Sequence, residues 1–215
     1  LQRLIALAPT HISAYQLTVE ERTPLAAKVR GGEVSMPDEE LLLSMWEVVE
    51  KQLHDAGYAA YEISNFARPG FSCRHNRNYW EYGDYLGLGP GACTFLKKES
   101  DSFVGTYPQA FAFRFQRARN LHHYLAGQLD TDYEDPIPTE KAMGEYAMLA
   151  LRTADGISEA RFAELFHRMP HEVFADQFTE WQRAGWLIAA QEAGCHWRFS
   201  HHGRRIANTL CAQLF

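Results

Sequence analysis

The apolar period of this chain changes at one place, and that change limits what it can fold into. Asp130 to Pro138 is acidic, carries two prolines and reads by composition as a linker. Before it, β-forming runs alternate with amphipathic helical patterns; after it, the pattern is mostly helical. A chain built this way needs two different packing layouts.

The first third reads helix, strand, helix, strand. Leu1 to Pro9 looks like the end of an amphipathic helix, with Leu1, Leu4, Ile5 and Ala8 on one face. A helix entered inside its own apolar stripe is expected to lack its beginning, so the chain reads as the C-terminal part of something longer. His11 to Val19 reads as a strand, and Thr23 to Val34 as a loop with a short helix. Ser35 is expected to cap a helix whose inner face is Leu42, Met45, Trp46, Val49 and Leu53, ended by Gly57. Tyr58 to Ile63 is the next strand. The alternation predicts parallel α/β units.

Asn65 to Gly83 is polar, aromatic and basic, and shows neither period. Tyr85 to Phe95 reads strand, Gly-rich turn, strand. Phe111, Phe113 and Phe115 alternate with Ala112, Arg114 and Gln116, the mark of a half-buried strand. Leu121 to Leu129 reads as a short helix. Beyond Pro138 come a helix with Met143, Tyr146, Ala147, Ala150 and Leu151 on one face, a helix capped by Ser158, and another after Pro170. A hairpin across Glu192-Ala193-Gly194 and a last helix opened by Ser200 complete a winged-helix-like pattern.

Charge narrows the function classes. Lys and Arg number 21 against 27 Asp and Glu, a net charge of −6, which argues against a nucleic-acid partner. The imbalance is local: Asn65 to Leu129 holds eight bases and four acids, so one mid-chain stretch suits an anionic ligand. The winged-helix-like tail does not suit DNA, because its third helix, His171 to Gly185, sets Glu172, Asp176 and Glu180 against Arg183 alone. No apolar run approaches the ~20 residues a membrane helix needs. Cys73, Cys93, Cys195 and Cys211 show no C-x₂-C spacing, and nothing local among them holds a cluster. Scattered thiols in a chain of 215 residues suggest a reducing cytoplasm.

Chemistry concentrates in Cys73-Arg74-His75-Asn76-Arg77-Asn78-Tyr79-Trp80. Histidine can ligate a metal, Tyr and Trp offer π faces, and Arg74 and Arg77 can pair with carboxylates. Together they suit a flat, anionic, aromatic ligand; a polar loop with its aromatics plugged into a barrel wall is the plainer reading. Gly87 to Ala92 fails the dinucleotide fingerprint, since Pro90 breaks the helix start. Glu20, Glu21 and Glu62 read as solvated or Arg-paired carboxylates rather than acid–base groups. His167 and His171 are four apart, but Pro170 between them argues against a shared helix face.

Four strings resemble one family: His11 to Glu20, Tyr61 to Pro69, His75-Asn76-Arg77-Asn78-Tyr79-Trp80, and Tyr85 to Ala92. They look like the second half of HemW-like proteins, radical S-adenosylmethionine proteins regarded as haem chaperones and related to oxygen-independent coproporphyrinogen III oxidases. The H-N-x-x-Y-W string is the specific signal, and the tail from Thr139 is similar to the family's C-terminal domain.

The resemblance implies an α/β fold. It would be the C-terminal part of a partial (β/α) radical S-adenosylmethionine barrel over residues 1–98, a connecting strand, helix and linker over 99–138, and a winged-helix-like, mostly α domain over 139–215. It implies haem as ligand, with His75, Asn76, Tyr79 and Trp80 as haem contacts and His75 as the iron ligand. S-adenosylmethionine, near Thr18 and Cys93, and a [4Fe-4S] cluster are implied for the full-length protein; the cluster ligands are not in this chain. It implies respiratory haem proteins as recipients, a homodimer, and a cytoplasmic setting at the inner face of the membrane. Catalysis by this chain alone is not implied, and a coproporphyrinogen oxidase or related oxidoreductase is the alternative. One departure stands out: the family reads Gly-Ala-His-Ser where this chain has Gly91-Ala92-Cys93-Thr94.

Overall fold

A computed structural model describes residues 1–98, 107–190 and 196–215. It contains two compact units, Leu1–Cys73 and Arg74–Phe215.

In the first unit, a short helix α1 (Gln2–Ile5) leads to strand β1 (His11–Ser13), and helices α2 (Pro24–Arg30) and α3 (Glu39–Asp55) precede strands β2 (Ala59–Ala60) and β3 (Asn65–Ala67). Ile12, Leu53, Tyr58 and Phe66 form the core, with Ile5, Trp46 and Val49 packed against it. Helix α3 starts later than Ser35 suggests: the Asp38 carboxylate accepts from Leu41 N–H at 2.8 Å. Pro37 accounts for the delay, because the residue before a proline is driven out of helical geometry. At the other end Gly57, at φ +84°, lets the chain turn back. Tyr58 N–H then reaches the Leu53 carbonyl and Gly57 N–H the His54 carbonyl, which delivers Tyr58 to the core beside Leu53.

The expected parallel pairing is not what these strands adopt. The sheet order is β1-β3-β2, and β3 runs antiparallel to both neighbours, with Ile12 opposite Phe66 and Ala60 opposite Phe66 on the other side. The cause is the short link from Ala60 to Asn65, which is too brief for the crossover a parallel pair requires. The Glu62 carboxylate lies in that link, buried, and accepts from Ser64 N–H at 2.8 Å. Of the strand expected over His11 to Val19, only His11–Ser13 is strand, and Ala14 N–H adds one bond to the Ser64 carbonyl.

The second unit opens with helix α4 (Arg74–Trp80), where the sequence shows no period at all. None of its residues is buried, so no apolar stripe marks it. Strands β4 (Cys93–Lys97), β5 (Ala112–Arg117) and β6 (Thr131–Ile137) form an antiparallel sheet in that order, with helix α5 (Leu121–Leu125) between the last two. The expected linker is therefore the strand β6. It lies at the edge, where Pro136 removes no inner hydrogen bond. Strand β5 is covered on both faces: Phe113 stacks on Tyr107, and Arg114 on the other face reaches a buried carboxylate.

The winged-helix-like part follows: α6 (Thr139–Leu151), β7 (Ile157–Ser158), α7 (Glu159–Phe166), α8 (Pro170–Val173) and α9 (Ala175–Arg183), then β8 (Leu187–Ala190) and β9 (His196–Phe199). Helices α10 (His201–Arg205) and α11 (Ala207–Cys211) close the chain. The β8–β9 hairpin forms as its sequence predicts, although its turn, Glu192-Ala193-Gly194, lies outside the described residues, as does Cys195. Strand β7, too short to show a period, adds to β9 as a third strand. Trp181, Phe162, Phe178, Ile157 and Leu210 are fully buried between these helices and strands. Among the described residues, no helix is long and apolar enough to cross a membrane.

Leu53 is fully buried where α3 meets β3. Replacing it with Ala is expected to lower stability by about 2–5 kcal/mol, read as a fall in the denaturant midpoint of the first unit's transition.

Candidate functional site

Helix α4 carries the sequence-predicted cluster on two turns. His75 and Tyr79, four residues apart, share one face, and their rings meet edge to face at 4.8 Å. Tyr79 meets Tyr85 in the same way at 4.7 Å, and Tyr85 stacks on Phe95 of β4 at 5.9 Å. An aromatic ladder thus runs from the exposed His75 to the buried Phe95. The His75 imidazole has no hydrogen-bond partner among the described residues, so neither ring nitrogen is committed to the protein. Trp80 is half-buried, and its indole N–H has no partner among the described residues either. Asn76 is half-buried on the same helix.

The other members of the cluster hold the helix. Arg77 donates through Nε to Glu81 at 3.1 Å and through Nη2 to Asp155 at 2.8 Å. Burial works against its charge, but the two carboxylates outweigh it and raise its pKa. Asn78 donates to the Asp84 carbonyl at 3.0 Å and receives Gly83 N–H on its own carbonyl at 2.7 Å, which shapes the turn leaving α4.

The Gly-rich turn folds onto the sheet. Gly87 N–H donates to the buried Thr94 hydroxyl at 3.0 Å, and a Cβ at Gly87 would overlap the Cys93 carbonyl. Gln116 donates to the Gly91 carbonyl at 2.8 Å. Cys93 begins β4 with its side chain exposed. It lies near Tyr85, whose pKa is raised mainly by burial, with Arg114 opposing and Cys93 and Tyr79 adding to the rise. Tyr79 thus links His75 to Tyr85, and Cys93 is two residues from Phe95 on the same strand. Thr18 belongs to the first unit, where it is exposed in the segment after β1.

Next to this ladder is a cluster that the sequence reading passed over. Tyr82, buried one turn past α4, donates to Glu145 of α6 at 2.9 Å. Glu145 is itself buried and pairs with Arg114 of β5, which also reaches Asp135 at 3.4 Å; Lys141 completes the chain at 2.8 Å from Asp135. Burial and the Glu145 carboxylate push the Tyr82 phenol far above its ordinary range, so it stays a neutral donor. Burial opposes the Arg114 charge, and its bond to Glu145 more than restores it. A signal was present: Glu145 is the one charged residue between Ala142 and Leu151, and a carboxylate in an apolar helix needs a cation.

The remaining histidines do other work. His171 bonds Glu159 at 3.0 Å, and His167 ends α7 in left-handed geometry, so the two do not share a helix face. No group of three His, Cys, Asp or Glu among the described residues could hold a metal ion.

No protein-family model matches the chain. It is 30% identical to the heme chaperone HemW of Escherichia coli over 210 residues, 98% of this chain and 51% of that protein. It is 51% identical to HemW of Mycobacterium tuberculosis over 86 residues, 40% of this chain and 22% of that protein. Its structure matches the coproporphyrinogen III oxidase HemN of Escherichia coli, a radical SAM enzyme, with a TM-score of 0.68. That match has 13% sequence identity and covers 99% of this chain and 49% of HemN. The chain thus spans about half the length of the curated relatives that it matches over nearly its whole length.

Two outcomes follow from the geometry. Under native conditions Cys93 should react readily with iodoacetamide while Cys211, buried and with its thiol pushed up to about 11, stays unlabelled until the protein unfolds. Peptide mapping by mass spectrometry distinguishes the two. Glu145→Ala should cost about 3–5 kcal/mol, because it leaves a partly buried Arg114 short of its main partner. Replacing Arg114 by Met as well should recover part of that loss in denaturant titrations.

Proposed function

The chain is HemW-like, with the fold of the matched half of a radical SAM enzyme, and on that premise we propose that it carries the haem-contacting surface of a haem chaperone. His75 carries this reading. Its imidazole is exposed, has no hydrogen-bond partner among the described residues, and stands at the outer end of an aromatic ladder. A neutral imidazole with an uncommitted nitrogen is the donor that a haem iron accepts.

The rest of the face suits the same ligand. Tyr79 offers a ring surface beside His75, and Asn76 and Trp80 are the further groups proposed for the ligand on the same helix. Arg77 is already paired, which leaves the exposed Arg74 for a carboxylate of the ligand. Bound haem would supply an iron that accepts a nitrogen donor; His75 would offer that donor, Tyr79 a ring surface and Arg74 the counter-charge. The described residues hold no group of His, Cys, Asp or Glu that fits an iron–sulfur cluster.

The wider proposal concerns the whole protein. It includes S-adenosylmethionine near Thr18 and Cys93, a [4Fe-4S] cluster held by residues outside this chain, and delivery of haem to respiratory proteins. It also includes a homodimer working in the cytoplasm at the inner face of the membrane. A second reading, an oxygen-independent coproporphyrinogen III oxidase, draws on the fold shared with HemN, a likeness of fold alone at 13% identity. Turnover of coproporphyrinogen by the reconstituted whole protein would favour it.

The test is a haem titration of the whole protein and its His75→Ala variant. Affinity is expected to fall by about 10-fold or more, with a shifted Soret band. Unchanged affinity and an unchanged band would remove His75 as the ligand.

A further inference from the structure

Helix α4 has seven residues and buries none of them. A helix this short is marginal by itself, and the ring contacts of Tyr79 carry little directionality. Beside its ring contacts with Tyr85 and Phe95, two side-chain hydrogen bonds that span more than 60 residues reach it from one neighbour. Near its middle, Arg77 reaches Asp155 at 2.8 Å; just past its end, Tyr82 donates to Glu145 at 2.9 Å. Glu145 is on α6, and Asp155 is in the turn by which the chain leaves α6.

That turn is built to hold its shape. The Thr153 hydroxyl donates to the Ala150 carbonyl at 2.7 Å and accepts from Gly156 N–H at 3.0 Å, bracketing Asp155. Gly156 adopts φ +77°, and a Cβ there would overlap the Trp197 carbonyl. Asp155 is thus presented from a fixed backbone. Arg77 has its Nε occupied by Glu81, which leaves Nη2 aimed at Asp155. Two anchors along a short rod set its direction, and His75 is on that rod, one turn from Tyr79.

We propose that Asp155, acting through Arg77, is a positioning residue for His75: it sets the direction of α4 and so the angle at which the imidazole meets its ligand. This rests on the reading of α4 as a haem-contacting surface. It gives the winged-helix-like part a role in ligand binding that its sequence, too acidic for DNA in its third helix, does not otherwise suggest. Asp155 is the anchor to test, since Glu145 is buried and its loss threatens the fold, whereas the Arg77–Asp155 pair is largely exposed.

The experiment uses the whole protein with Asp155→Asn, His75→Ala, and the conservative variant Asp155→Glu, which keeps the carboxylate and leaves the Arg77–Glu81 bond intact. Asp155→Asn should move the melting midpoint by no more than about 2 °C, as for other exposed ion pairs. Without haem, amide exchange along α4 should quicken by about 10-fold. With haem, affinity should fall by about 10-fold and the Soret band should broaden towards that of His75→Ala. Asp155→Glu should keep both the exchange rate and the band near parent values, a contrast with Asp155→Asn that general loss of structure would not give. If Asp155→Asn prevents folding, Arg77→Lys replaces it, keeping the charge and losing the fork.

If His75→Ala changes haem binding while Asp155→Asn leaves affinity, spectrum and exchange at parent values, the positioning role is wrong and the haem surface stands. If His75→Ala changes nothing, the haem surface itself is wrong and this inference falls with it.

Discussion

The second unit is organised around one buried ion pair, Arg114 with Glu145. An unpaired carboxylate at that depth would be costly, and so would an Arg side chain beneath the sheet without a counter-charge. Pairing them fixes the distance between β5 and α6, because neither can move without exposing the other's charge. Tyr82 adds a hydrogen bond to Glu145, Arg114 also reaches Asp135, and Lys141 balances Asp135. Sheet, helix and the end of α4 are thereby tied to a single point. The aromatic ladder beside it has dispersion and ring geometry to hold it, but little directionality of its own.

The first unit depends on a different constraint, the length of the link between β2 and β3. Its brevity forces an antiparallel turn, and the core residue Phe66 then faces Ile12 on one side and Ala60 on the other. The bonding at Gly57 delivers Tyr58 to the same core. Both are backbone effects, and they act before any side chain chooses a neighbour.

This contrast explains what was legible in the sequence. Helix α3, the β8–β9 hairpin and the caps at Ser158 and Ser200 were readable, because each is local and carries a period or a capping residue. Helix α4 was not, since a helix that buries nothing has no stripe. Strand β6 was mistaken for a linker because its charges and prolines suit an edge position as well as a loop. The residues of the candidate site were legible as a chemical cluster and by family resemblance. What supports them was not: Asp155 lies 78 residues from Arg77, and Glu145 lies 63 from Tyr82. Pairings at such separations leave no periodic trace, although a lone carboxylate in an apolar helix announces that some partner must exist.

Because α4 places no side chain in the core, its outward residues are released from the usual conflict between folding and function. A buried recognition residue can change only as far as packing tolerates. On α4, substitutions at the exposed positions 74 and 75 disturb few neighbours, so a ligand-facing group can be exchanged there with little penalty in foldedness. The anchoring residues Arg77 and Tyr82 lack that freedom. Losing a tether would redirect the segment, whereas losing a contact residue would only remove one group from it.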